Sequence, residues 1–166
     1  MKTLCETIAE QVSANFRNLE TCLKTYDREA LVCGAPAWRY VYHTLHSADR
    51  WFFNPSLYDE PPFHEEGMDD PDRPCSVVLS DGELLELLDR IERKTYDYLN
   101  ALTDRELYER PPECPFTRLE LVLIQFRHMN FHTGMLNGQT IERTGKFPVY
   151  VSPHTVERLE RGLYDE

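Results

Sequence analysis

His128 and His132 lie four residues apart in a long, largely apolar stretch without proline, from Leu119 to Ile141. Such a stretch predicts a helix, and residues four apart on a helix lie one above the other on the same face. Two imidazoles held in this way can bind a divalent transition metal and leave positions for a third ligand and for water. The pair alone is weak evidence, because two histidines at this spacing are more often ordinary polar residues of a helix.

The residues around the histidine pair strengthen the metal interpretation. Apolar side chains cover most of the girth of this helix: Val122, Leu123, Phe126, Met129 and Leu136. Buried polar groups are costly without partners, and a metal ion supplies a partner to each imidazole. Gln125 borders the same face, three residues before His128, and is a candidate for a supporting contact.

A third protein ligand is expected on a second, aromatic-rich helix, which contains His43 and His46. Positions three apart on a helix point in similar directions, so geometry alone leaves both histidines open. His64 and His154 are weaker candidates, because their segments are expected to be exposed. Asp49 is a candidate to orient a histidine, since ligating imidazoles usually donate their second nitrogen to an acceptor.

Helices must position these residues. Apolar residues recur at helical spacing in four segments, which predicts long helices over 4–26, 37–53, 81–102 and 118–144. Capping boxes of the form S/T-x-x-E, which mark helix starts, begin at Thr3, Ser80, Thr103 and Thr117. Gly145 is a predicted helix end. The sequence therefore predicts an all-α four-helix bundle, with residues 1–166 as a single domain.

A long connection rich in proline and acidic residues, 54–79, separates the second and third predicted helices. Connections of this length are uncommon in compact domains and tend to be functional or mobile. This one is long enough to let the second and third helices run parallel, as a crossover does in some bundles. His64 lies in this crossover and is expected to be exposed to solvent.

Composition restricts the function classes. The formal net charge of −11 disfavours nucleic-acid binding, whose affinity depends on basic contacts to phosphate. There is no apolar run long enough to cross a membrane and no apolar region of a signal peptide. Scattered cysteines without a C-x-x-C pair predict free thiols in a cytoplasmic protein and argue against a cysteine zinc site. They are Cys5, Cys22, Cys33, Cys75 and Cys114.

Three regions resemble the DinB-like family of metalloenzymes. WRYVYHTL at 38–45 is similar to the family's aromatic-flanked histidine in helix two, and RHMNFHTG at 127–134 to its H-x-x-x-H-x-G in helix four. The long crossover after the second predicted helix is also similar to the family's connection between helices two and three. The resemblance implies an up-down-down-up bundle in which His43, His128 and His132 bind nickel, zinc or iron. Met135 stands where the family commonly has glutamine, and His46 where it more often has an apolar residue.

The predicted function follows from a centre of three neutral histidines. Such a centre can lower the pKa of a bound water to about 7, and it can equally bind a thiolate. Relatives in the family include thiol-dependent transferases and isomerases, and others are described as hydrolases. The sequence contains no G-x-S-x-G and no catalytic-cysteine signature, so no protein nucleophile is expected.

We therefore predict a metal-dependent hydrolase, or a transferase that uses a low-molecular-weight thiol, acting on a small molecule. The alternative is a non-catalytic bundle that binds a metal or a small ligand. The sequence does not decide whether the protein is a monomer or a homodimer. His46 is read either as a packed histidine or as a base or alternative ligand beside the metal.

Overall fold

Residues 1–165 are described by the computed structural model, which is mostly helical, as predicted. The four long helices are α1 Leu4–Thr25, α2 Ala37–Trp51, α3 Asp81–Ala101 and α4 Arg118–Thr144. The predicted bounds of α4 coincide with the observed ones, and those of the other three run one or two residues too far at the C-terminal end. Among the helices of residues 1–165, none combines the length and apolar character that crossing a bilayer requires.

The helix termini follow the local sequence signals. Complete capping boxes begin α1, α3 and α4, at Thr3, Ser80 and Thr117. The box at Thr103 forms as well and precedes a short 3-10 turn, Glu106–Tyr108. Gly145 ends α4 at φ 69°, a left-handed conformation that glycine adopts without a Cβ penalty. These contacts are local in sequence, which is why the sequence predicts them.

Two small hairpins complete the regular structure. Strand β1 Leu31–Val32 pairs antiparallel with β2 Ala35–Pro36, and β3 Phe147–Pro148 pairs antiparallel with β4 Tyr164–Asp165. Short 3-10 helices occur at Pro55–Leu57 and Val156–Arg161. All five cysteines are present as free thiols.

The core is a cluster of buried apolar side chains from all four long helices. Its members include Phe16, Leu19, Tyr42, Leu45, Leu84, Ile91, Val122, Met129 and Leu136. Helix α1 packs against α3 and α4, and α2 packs against the same two helices. The contact between α2 and α4 matters for function, because it brings the histidines of the two helices together.

The crossover between α2 and α3 is anchored to α2 by Arg39. This buried side chain places Nη2 2.7–3.4 Å from four backbone carbonyls, those of Gly67, Met68, Asp70 and Arg73. Further along, the carboxylate of Glu65 accepts hydrogen bonds from the backbone N–H groups of Ser76 and Val77. Met68 is fully buried. The crossover therefore has a defined path against α2, although it contains little regular structure.

Candidate metal centre

Three histidines from two helices converge, and we call them the histidine trio: His43 of α2 with His128 and His132 of α4. The Nε2 atoms of His43 and His128 are 3.0 Å apart, and those of His128 and His132 are 3.1 Å apart. The four-residue spacing on α4 aligns two of the rings. Of the two α2 histidines that spacing left open, His43 is the one that meets this pair.

The crossover fixes the orientation of the His43 ring. Nδ1 of His43 lies 2.6 Å from the backbone carbonyl oxygen of Asp69. A carbonyl oxygen only accepts, so Nδ1 carries the hydrogen and Nε2 presents its lone pair to the other two histidines. Arg39 binds the carbonyls on both sides of Asp69, at Met68 and Asp70. The contact therefore depends on the anchored crossover.

Gln125 supports the His128 ring from within α4. The buried amide lies 3.0 Å from Ser47 Oγ of α2 and 3.4 Å from His128 Nδ1. A metal on His128 Nε2 requires the ring hydrogen at Nδ1, so in the metal-bound protein the amide oxygen, which accepts, would face the ring. His132 has no such support: its Nδ1 is buried and has no hydrogen-bond partner among residues 1–165. The Asp69 carbonyl therefore orients the His43 ring, and the Gln125 amide orients the His128 ring.

The close approach of three ring nitrogens suits a bound cation. His128 Nε2 has one hydrogen or one lone pair in the ring plane, so it cannot make a full hydrogen bond to both neighbours. A metal bound by all three nitrogens would satisfy three lone pairs at once. Metal–nitrogen bonds of about 2.0–2.1 Å place neighbouring ligand nitrogens about 2.9–3.4 Å apart in tetrahedral or octahedral geometry. The observed separations of 3.0 and 3.1 Å fall in that range.

The electrostatic setting keeps the α4 histidines neutral. Burial first and the neighbouring His43 second lower the pKa of His128 to about 4. The pKa of His132 is lowered to about 4 by burial first and then by the two other histidines of the trio. Neutral imidazole is the form that binds metal. Near neutral pH both rings are therefore ready to act as ligands.

One side of the trio is open to solvent. His43 and His128 are only partly buried, whereas His132 is buried. The ring of Phe131, which is 68% exposed, lies edge-on to His132 with centroids 5.2 Å apart. On another side, the Tyr40 ring lies 5.9 Å from the His132 ring. An exposed aromatic ring thus lies against His132, the buried member of the trio.

Other candidates from the sequence lie elsewhere. Asp49 accepts hydrogen bonds from Lys94 Nζ and Tyr58 Oη, and its hydrogen bonds within residues 1–165 include none to a histidine. His154 is exposed in the C-terminal segment. Met135 packs against the apolar core. The hydrogen bonds of Asp49 and His154 within residues 1–165 therefore include none to the trio.

The prediction that His64 is exposed is wrong, because the crossover folds back onto α2. Its side chain is 9% exposed, and its Nδ1 lies 2.7 Å from the Tyr42 hydroxyl. His46 is also buried, and its Nε2 contacts Glu60 rather than the trio. Sequence reasoning missed the roles of Arg39 and Asp69. The one available signal was Arg39 itself, an arginine in an aromatic-rich helix.

Comparison with protein families, curated proteins and solved structures finds no match to this chain. The functional evidence is therefore the geometry of the site.

Proposed function

We propose that the protein is a divalent-metal-dependent enzyme whose metal ligands are the Nε2 atoms of His43, His128 and His132. The observation that supports this most directly is the approach of these atoms to 3.0 and 3.1 Å. Nickel, zinc or iron bound there supplies a water ligand with a pKa near 7, or a position for a thiolate. Three neutral ligands leave the full positive charge of the ion available.

The number and exposure of the ligands favour catalysis over a structural role. Structural zinc sites are closed by four protein ligands, whereas catalytic sites have three and an open position. The metal-binding group found at the trio within residues 1–165 consists of three histidines, two of them partly exposed. This arrangement supports an enzyme over the sealed metal-binding bundle that the sequence left as the alternative.

The reaction class we propose is hydrolysis, or transfer of a low-molecular-weight thiol, with a small-molecule substrate. The metal-binding group at the trio contains no cysteine, so the nucleophile comes from solution as water or thiol. Phe131 offers an exposed apolar surface beside His132 for the apolar part of a substrate. The chain's own contribution is to hold neutral imidazoles in place through Asp69 and Gln125.

We also propose the arrangement and family implied by the resemblance, an up-down-down-up four-helix bundle of the DinB-like metalloenzymes. Two features support it. Each of α1 and α2 packs against both α3 and α4, as in a square of four helices. The ligands also come from the second and fourth helices, joined across a long crossover after the second.

The test is metal analysis of the protein purified without a histidine tag, combined with substitution. His128→Ala should lose one equivalent of metal, and His154→Ala, which removes an exposed histidine, should lose none. The wild type is then assayed for hydrolysis of ester, amide and phosphoester substrates, and for thiol transfer to electrophiles with glutathione or cysteine. Full metal retention in His128→Ala would overturn the site. Metal binding at the trio without turnover in any assay would favour the non-catalytic alternative.

A further inference from the structure

A second group of metal-ligating side chains lies beside the trio, and we call it the crossover cluster: His46 of α2 with Glu60 and His64 of the crossover. One potential ligand atom from each of these residues lies within 4.8 Å of the others. His46 Nε2 is 2.6 Å from Glu60 Oε2, and His64 Nε2 is 3.7 Å from the same oxygen. Two imidazole nitrogens therefore face one carboxylate.

We propose that the crossover cluster is a second divalent-metal site, in which His46 Nε2, His64 Nε2 and the Glu60 carboxylate are the ligands. This inference goes beyond the proposed function, because the site shares no ligand with the trio. Two histidines and one carboxylate form a recurring ligand set for zinc and for non-haem iron. Mixed nitrogen and oxygen ligands favour these first-row metals over calcium and magnesium, which prefer oxygen alone.

Both imidazoles have a neighbour at the ring nitrogen that the metal would not use. His64 Nδ1 lies 2.7 Å from the Tyr42 hydroxyl, which can accept its hydrogen and leave Nε2 unprotonated. His46 Nδ1 lies 4.0 Å from Asp69 Oδ2, an acceptor on the opposite side from Glu60. Such outer partners orient ligating histidines and set their tautomers. In the metal-free protein His46 Nε2 donates its hydrogen to the Glu60 carboxylate, because a carboxylate only accepts. A metal bound at Nε2 would replace that hydrogen, and His46 would then hold its hydrogen at Nδ1, on the side of Asp69.

The burial of the cluster also suits a metal site. The side chains of His46 and His64 are 4% and 9% exposed, whereas that of Glu60 is 43% exposed. The two rings stack with centroids 4.8 Å apart and an interplanar angle of 16°. A simple ion pair would need only one of these histidines beside Glu60. The cluster instead presents two nearly buried rings beside a carboxylate that is exposed to solvent.

A metal in the crossover cluster would also affect the trio through Asp69. The backbone carbonyl of Asp69 accepts from His43, and its carboxylate lies 3.7 Å from His64 Nε2. Two of the three cluster ligands belong to the crossover, so binding would tie the crossover to α2. The second metal is therefore expected to hold Asp69 against His43 and to tighten metal binding at the trio.

The test is titration of the chelator-stripped protein with Zn²⁺ and Co²⁺, followed by calorimetry and by the absorption of bound Co²⁺. The wild type should bind two ions, and both His128→Ala and Glu60→Gln should bind one. The double variant should bind none. Glu60 is partly exposed, so its replacement by the isosteric amide should leave the fold intact, which circular dichroism checks. Glu66→Gln removes the same charge from an exposed crossover position and should still bind two ions.

Different results separate this inference from the proposed function. If the wild type binds one ion, and loses it in His128→Ala but not in Glu60→Gln, the crossover cluster is not a metal site. If the one ion is lost in Glu60→Gln and kept in His128→Ala, the second site stands and the trio fails. Tyr42→Phe sharpens the assignment, because loss of an outer partner should weaken binding of the second ion about tenfold and affect binding of the first ion less.

Discussion

The histidine trio and the crossover cluster differ in which parts of the chain build them. The trio takes all its ligands from α2 and α4, two packed helices whose backbones are fixed by their own hydrogen bonds. The crossover cluster takes two of its three from a connection whose path depends on side-chain contacts. Helical ligands make the trio the more rigid of the two, and the cluster is the one that movement of the crossover would disrupt first.

Arg39→Met should have the largest effect and should act on both groups. The change leaves the carbonyls bound by the guanidinium without that partner and frees the crossover. We expect a loss of unfolding free energy on the order of 3 kcal/mol, measured by urea denaturation. Metal binding should fall more at the crossover cluster than at the trio.

Arg93→Met serves as the control for Arg39→Met, because it removes an exposed arginine that pairs with Asp89 on α3. Its effect on stability should stay within about 0.5 kcal/mol. If Arg39→Met lowers the metal affinities of the trio and the crossover cluster equally, the crossover supports the two groups alike and the expected difference between them is wrong.

His128→Ala should abolish the stabilisation that metal gives through the trio. A ligand that binds only the folded state at 100 times its Kd adds about 2.7 kcal/mol to the unfolding free energy. In a Glu60→Gln background, where the trio is the remaining site, added Zn²⁺ should raise the Tm of the protein. His128→Ala in that background should remove the rise, and His154→Ala should retain it.

The metal-free protein should lose stability in acid because of the trio. His128 and His132 have a pKa of about 4 when folded, against about 6.5 when unfolded. Between these values the unfolded chain binds more protons, so the unfolding free energy is highest above about pH 6.5 and falls as the pH drops towards 4. Urea denaturation at a series of pH values measures this. The decline should be shallower in His128→Ala, which has one titrating ring fewer, and an unchanged slope would contradict the assignment.

Ser47→Ala should have the smallest effect and should act mainly on the trio. The serine hydroxyl is hydrogen-bonded to Gln125, which in turn lies against His128. Loss of this contact should weaken metal binding at the trio by less than the roughly tenfold cost of losing a direct partner of a ligand. Metal binding at the crossover cluster should change less still, as calorimetry would report. Ser13→Ala removes a comparable hydroxyl, bonded to Glu92 far from both groups, and should change neither affinity.

Much of the helical framework could be predicted from sequence, because its determinants are local. The capping boxes and Gly145 involve residues a few positions apart, and apolar spacing located the four helices. The alignment of His128 and His132 is likewise a property of one helix. His43 was singled out over His46 only by the family resemblance, since spacing treats the two alike.

The crossover could not be predicted in the same way. Its path depends on Arg39 reaching carbonyls about thirty residues away, and no periodicity in the sequence reports such a contact. The expectation that His64 is exposed failed for this reason, because a proline-rich, acidic segment reads as a solvated loop. The contact of Asp69 with His43 was missed because a backbone carbonyl leaves no trace in residue type.

The four-carbonyl contact of Arg39 also limits how this part of the chain can vary in length. The carbonyls of Asp70 and Arg73 lie closest to the guanidinium. A residue inserted between them would lengthen the chain that joins them, so one of the two carbonyls could no longer reach Arg39. Surface connections normally tolerate insertions at little cost. The segment 67–73 should not, and a library of single-residue insertions across the crossover should show folded protein lost there and retained near 56–58.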